Sequence, residues 1–416
     1  MSDVIHRRDT CRGCDGNDLE MVLCLKPSPI GDDFITADNL HLHQPSYPLD
    51  LFMCKTCGLA QLIDVIDPDT LYGEYIYVTA SSTGLSDHFR NYAESVINAC
   101  SIKPGSLVVD LGSNDGTLLR HFQHRGMIVL GVEPAEHIAS KATYSGITTL
   151  GEFFSPVLAK KIVSNHGHAK LITANNVFAN IDDLMSWVDA VNELLDEDGV
   201  FVFESYYLAD LLQNMVFDFI YHEHLSSFSV RPMQALFRRV GLELIAVERV
   251  DTKGGSLRYF VQRTLGRLKN NGSVMKMLAF EQSIGLYRRE TFMDYAEKIN
   301  SLKEQTKKFI AKAKSEGKRI AGFGASITGT TLINHFEIGE FLDYLVDDNI
   351  AKHGRFSPGL HLPVYPSSVL CERNPDYVII LAWRFFEIII RNNEDYLKSG
   401  GQFIIPVPKF NLISGI

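Results

Sequence analysis

Leu107-Val-Val-Asp-Leu-Gly-Ser-Asn-Asp-Gly116 carries an apolar run into an acidic turn with two glycines, and the reading of that change decides the fold. Four apolar residues with Asp110 among them suit a buried central strand of a parallel sheet. Gly112 and Gly116 permit a tight turn and a close approach of backbone to a ligand, and Asp115 is placed to cap the following helix. A second apolar run, Met127 to Val132, ends in Glu133, about twenty residues past the glycines, where a carboxylate can accept ribose hydroxyls. A phosphate would call for basic groups or a bare helix N-terminus. Two carboxylates in the turn suit a cationic ligand better, with a dinucleotide as the competing reading.

The spacing from Asp110 through Gly112 to Gly116 resembles the first motif of class I methyltransferases, which bind S-adenosylmethionine (SAM) at the end of their first strand. Asn114 stands where that motif has its middle glycine. Strands and helices alternate around it: Ile147 to Leu150, Lys170 to Ala174 and Gly199 to Glu204 read as further strands with helical intervals. Asn175 and Asn176 close one strand on the ligand side, to bond SAM or substrate or simply to cap the turn. Leu242 to Val250 and Leu257 to Thr264 then read as a hairpin joined through Lys253-Gly-Gly255.

With 416 residues, 45% of them hydrophobic, the chain has core enough for two or three units. A net charge of −10 and the lack of any long Lys/Arg run argue against a nucleic-acid partner. No stretch reaches the roughly 20 apolar residues that span a bilayer, and the first residues lack an apolar signal core, so a cytoplasmic protein with no membrane partner is expected.

Cys11-x-x-Cys14 and Cys54-x-x-Cys57 are two knuckles, each offering two sulfurs to one tetrahedral ion. Four thiolates leave zinc no open position, so the site is structural. A redox pair is the alternative, without the βαβ surroundings that would support it. Cys24 is either a substitute ligand or a buried thiol. The module is expected to pack on the next domain or to cover its cleft.

Phe217-Asp-Phe-Ile-Tyr-His-Glu-His-Leu225 is dense in titratable and phenolic groups. On a strand Tyr221 and Glu223 would share one face and His222 and His224 the other; in a loop all four could converge. A metal site and a merely polar surface loop compete with acid–base work here, and the position after the fifth strand favours the last. A second α/β unit starts after Gly317, where Gly322, Gly324 and Ser326 follow a strand in a turn that suits a diphosphate. Lys352 and Arg355 add cations near that crevice.

The ordered set CxxC, CxxC, YIYVTASS, VVDLGSNDG with GVEP, YHEH, GFGAS and GRFSPG resembles, over nearly the whole chain, the three-domain sugar C-methyltransferases. These methylate C-3 of nucleotide-linked 4-keto-6-deoxy sugars. The resemblance implies an α/β chain of three parts: a zinc-binding module (1–72), a Rossmann-like class I SAM methyltransferase domain (73–290) and a second Rossmann-like domain for the sugar nucleotide (291–416). SAM and a structural zinc are the implied cofactors, and a dTDP- or GDP-linked sugar is the implied substrate. Asp110, Gly112, Asn114, Asp115, Gly116, Glu133 and Asn175 would serve SAM; Asn180, Gly322, Gly324, Ser326 and Arg355 would serve the substrate. Asn180 stands where some members have a histidine.

Tyr221, Glu223 and His224 match the family's Tyr-x-Glu-His, and Tyr75 or Tyr77 its lid tyrosine. A carbon attacks a sulfonium methyl only once it is carbanion-like, which a neighbouring ketone permits. His224 is therefore expected as base with Glu223 orienting its ring, and the tyrosines as donors to the oxyanion. An O- or N-methyltransferase of a small polar metabolite, and a zinc-ribbon nucleic-acid-binding protein, are the competing readings.

Overall fold

The computed structural model describes residues 4–72 and 85–415, so the expected lid tyrosines Tyr75 and Tyr77 lie outside the described residues. At its centre is a seven-stranded sheet in the spatial order Leu242–Val250, Ser256–Arg263, Leu195–Tyr206, Ala169–Asn175, Leu107–Leu111, Ile128–Val132 and Thr149–Leu150. The last five are mutually parallel, and the hairpin that completes the sheet is antiparallel. All five residues of Leu107–Leu111 are buried, as a middle strand with helices on both faces requires. The strand order reverses direction beside this strand, so the turn after it opens into the crevice where such sheets hold ligands.

The zinc-binding module is a small antiparallel sheet of Leu19–Leu23, Leu51–Cys54 and Ala60–Leu62. Its fourth strand is Ser226–Ser227, contributed by the central unit and paired with Gln61 and Ala60. The module thus shares a sheet with the segment that directly follows His224, a closer union than packing on the next domain or covering its cleft.

Helix Arg289–Ser315 buries Phe292, Tyr295, Ile299, Ile310 and Ala313, a stripe at helical spacing, and leads into the last sheet. That sheet runs Val364–Tyr365, Tyr344–Val346, Ile320–Phe323, Tyr377–Ile380, Gln402–Ile405 and Asn411–Ser414, parallel except at its final strand. Specific polar bonds stitch the three parts together. Asp218, fully buried, accepts from Arg384 Nη1 at 2.9 Å and from Trp383 Nε1 at 3.0 Å. Lys352 Nζ donates to Asp32 at 2.7 Å, and Thr330 Oγ1 to the Gly31 carbonyl at 3.0 Å.

Candidate active site

The turn after Leu111 is built as its residues demand. Gly112 has φ +73°, and a Cβ there would lie 2.2 Å from Val177 Cγ2. Asn114 takes φ +48°, a left-handed conformation asparagine tolerates, so the missing glycine costs little. Asp115 accepts from Thr117 N at 3.0 Å and Thr117 Oγ1 at 2.6 Å, closing the helix start. Asp110 accepts from Thr173 Oγ1 at 2.6 Å, and burial pushes its carboxyl up to about 7.

These residues frame a cavity of about 360 Å³ whose wall includes Gly112, Asn114, Glu133, Asn175, Asn180 and Lys253. Asp110, Asp115 and Gly116 are not on that wall; they shape the turn from behind. Glu133 accepts from Asn114 N and Ala135 N, both at 3.0 Å, which fixes the carboxylate while each oxygen keeps a lone pair for a hydroxyl. Burial raises its pKa. Asn175 Oδ1 takes the Glu204 N–H at 3.0 Å, and its buried Nδ2 has no hydrogen-bond partner among the described residues. A fixed acceptor and a waiting donor on one cavity wall fit the ribose and polar ends of SAM.

Tyr221 to His224 form a loop between the short helix Phe217–Phe219 and the strand Ser226–Ser227. Within it His224 Nδ1 lies 2.8 Å from the Phe219 carbonyl and Nε2 lies 2.9 Å from Tyr221 Oη. A carbonyl only accepts, so Nδ1 carries the proton and the Nε2 lone pair meets the phenol. The expectation that Glu223 orients this ring is therefore corrected: Phe219 does so, helped by the Tyr206 ring stacked at 4.7 Å. Burial pushes His224 down to about 3, keeping the imidazole neutral, and pushes Glu223 up to about 7. His222 turns away to the Tyr47 carbonyl at 3.3 Å, so the four groups do not all converge.

The Sγ atoms of Cys11, Cys14, Cys54 and Cys57 lie within 4.8 Å of one another. Cys11–Cys57 and Cys14–Cys54 are both 3.5 Å apart. Tetrahedral zinc with bonds of about 2.3 Å requires sulfurs ~3.8 Å apart, so the cluster fits a structural zinc. The hydrogen bond to Cys57 holds the Cys11 thiol down at about 5. Cys24 is exposed and outside the cluster.

The turn at Gly324 departs from its expected role. Gly322 lies inside a buried strand against Leu345 and Leu381, so its lack of a side chain serves packing. Gly324 has φ +108° beside Ala382, and Ser326 caps helix Ile327–Phe336 by accepting from Gly329 N at 3.1 Å. Asp347, reaching over from the next strand, takes the Ala325 N–H at 2.7 Å, so the turn is not free of carboxylates. Arg355 donates to the Phe34 carbonyl at 3.2 Å and ties the C-terminal unit to the zinc-binding module.

Sequence reasoning missed Lys253, Arg12 and the Asp218–Arg384 pair. Arg12 and Asp218 look unremarkable in a charged chain, whereas Lys253 had a signal: a lysine, not asparagine or glycine, heading a Gly-Gly turn.

Family models match all three parts in order: a zinc binding domain at 11–72, a methyltransferase domain at 86–247 and a C-methyltransferase C-terminal domain at 251–408. The chain belongs to the C-methyltransferase family, enzymes that take their methyl group from SAM and carry a structural zinc. Among its relatives is the C-methyltransferase NovU of Streptomyces niveus, 32% identical over 415 residues that span 100% of this chain and 99% of the relative.

Solved structures resemble the chain only distantly. Magnesium protoporphyrin IX methyltransferase (ChlM) of Synechocystis PCC 6803 with bound SAH is 15% identical, covering 46% of this chain and 91% of its own at TM-score 0.35. Burkholderia thailandensis 1,6-didemethyltoxoflavin-N1-methyltransferase is 14% identical, covering 50% and 95% at TM-score 0.36. No described helix is long and apolar enough to cross a membrane.

Proposed function

We propose that this C-methyltransferase methylates C-3 of a dTDP- or GDP-linked 4-keto-6-deoxy sugar through an enolate. The observation that carries the reading is the Tyr221–His224 pair, a neutral imidazole whose Nε2 lone pair meets a phenol 2.9 Å away. Transfer to oxygen or nitrogen starts from a lone pair already present, whereas transfer to carbon must first remove a C–H proton. A neutral imidazole offers the free lone pair that this step needs.

In this reading His224 Nε2 takes the C-3 proton, and the Glu223 carboxylate next to it in the chain offsets the charge the ring gains. Tyr221 is freed to donate to the oxygen at C-4, and Tyr75 or Tyr77 is assigned the same task. Gly112, Asn114, Glu133 and Asn175 hold the methyl donor. Asn180 on the cavity wall is assigned to the sugar nucleotide. SAM supplies an electrophilic methyl group when bound; the chain's own residues generate and shelter the nucleophile.

Proton NMR of the enzyme in D2O with dTDP- and GDP-linked 4-keto-6-deoxy sugars, with and without SAM, tests the reading. Exchange at C-3 and a SAM-dependent C-methyl singlet are expected. An O–CH3 or N–CH3 signal, or neither exchange nor product with either sugar, would overturn it.

A further inference from the structure

We propose that Lys253 is a catalytic residue of the C-methylation, its ammonium donating to the carbonyl oxygen on which charge gathers as the carbon nucleophile forms. The assignment rests on the enolate reading above. Lys253 stands on the wall of the cavity that also exposes Gly112, Asn114, Glu133 and Asn175, in the turn between the two antiparallel strands of the central sheet.

Its backbone is the first argument. Lys253 has φ +56° and ψ +28°, the left-handed region, where a residue with a Cβ is strained and glycine or asparagine would rest more easily. The surroundings hold it there. Thr252 O accepts from Gly255 N and Ser256 Oγ, both at 3.0 Å, and Asn214 Nδ2 donates to Gly254 O at 2.9 Å. Gly255 has φ +120° with Asp210 so close that a Cβ would lie 2.4 Å from it. A turn clamped this firmly around a strained lysine marks the side chain, not the turn, as the reason for the residue.

Charge is the second argument. The neighbouring cations are committed: Arg384 to Asp218, Arg249 to Asp210, and Arg258 to Glu204 and Glu248. Lys253 forms no ion pair among the described residues, and the groups that act on it electrostatically are Glu223, Arg384 and Glu204, with His224 feeling it in turn. Lys253 is exposed to water on the cavity wall, so it is protonated at neutral pH and a ready donor.

The chemistry balances with this group in place. The base removes a proton from the carbon next to the carbonyl, and the C–H electron pair moves onto the carbonyl oxygen, where the ammonium meets it. The pair then returns through carbon to form the new C–CH3 bond, the donor's S–CH3 bond breaks with its electrons left on sulfur, and the abstracted proton leaves the base for water.

Lys253→Gly and Lys253→Arg test the assignment in the full-length enzyme, by C-3 exchange in D2O, turnover, SAM affinity from calorimetry and melting temperature. We expect Lys253→Gly to melt at or above the wild-type temperature and to bind SAM within threefold. It should lose about 100-fold or more in exchange and turnover, on the scale of a lost oxyanion donor. Lys253→Arg should recover part of that loss and shift the alkaline limb of the exchange profile upward. Exchange within threefold of wild type in Lys253→Gly overturns the assignment, as does a loss of SAM affinity that accounts for the whole defect. If wild type itself shows neither exchange nor C-methyl product, the enolate reading falls and the assignment with it.

Discussion

Replacing Arg12 with methionine tests how the zinc-binding module holds the loop proposed as catalytic. Arg12 follows the first zinc-ligand cysteine, and its guanidinium is fully buried. Nε donates to Asp182 on the cavity wall at 2.8 Å; Nη1 reaches the Leu62 carbonyl, Gln61 Oε1 at 3.2 Å and the Leu225 carbonyl at 3.3 Å. Breaking a buried ion pair costs about 3–5 kcal/mol when the abandoned charge is left unpaired. Here it is not. Asp182 keeps Arg8 at 3.1 Å, Leu225 O keeps Leu62 N at 2.9 Å, and Gln61 Oε1 keeps the backbone N–H of residue 12 at 3.1 Å.

What remains is one carbonyl, that of Leu62, losing a charged donor, worth about 1–3 kcal/mol. Methionine returns the packing of the stem, so the expected loss of stability is about 1–2 kcal/mol. Turnover should suffer more, at least tenfold, because the residue beside His224 keeps only one of its two tethers while zinc content stays at one per chain. Urea denaturation, metal analysis and turnover on the same preparation check this. A stability loss above ~4 kcal/mol, or turnover within twofold of wild type, would refute the reasoning, the first because surviving partners would not matter and the second because the tether would not.

Two further outcomes follow from single positions. Gly112→Ala places a methyl group 2.2 Å from Val177 Cγ2 at φ +73°, so SAM affinity by calorimetry should fall at least tenfold; affinity within twofold of wild type would show that the turn yields. His335, packed on Phe217 and Phe336, is held down at about 4 by burial, so it takes up a proton on unfolding between that value and about 6.5. A depressed folded pKa stabilises above the unfolded value and the contribution is lost as pH falls. His335→Asn, which can still accept from Lys26 N, should therefore lose less stability than wild type on acidification, by about 1.4 kcal/mol per pH unit in that window. Parallel curves for the two proteins would exclude the effect.

Local patterns in the sequence carried much of this architecture. The strand entering Gly112, the two cysteine knuckles and the hairpin around Lys253-Gly-Gly255 were legible because each is a short-range pattern with one cheap backbone solution. The pairing of Ser226–Ser227 with Ala60–Leu62 was not, since two polar residues at an edge carry no period that names a partner more than 160 positions away. His224 was picked out by its neighbours in sequence, yet its ring partner is a main-chain carbonyl five residues back, and a carbonyl has no letter in the sequence. The Gly324 turn read as an open phosphate cradle because Asp347 enters it only after the sheet assembles.

The loop that bears Tyr221 and His224 has little regular structure of its own, so its geometry must come from what it touches. One end is fixed by Asp218, whose buried carboxylate is gripped by Arg384 and Trp383 of the C-terminal unit. The other runs as an edge strand of the zinc-binding sheet, with Arg12 on the Leu225 carbonyl. A proton acceptor must sit within hydrogen-bond reach of its substrate, and shifts of about 1 Å are costly. Two clamps from two different units on a nine-residue stretch answer that demand, and on the proposed assignment they give the zinc a task in positioning the base although its four thiolates leave it no position for substrate.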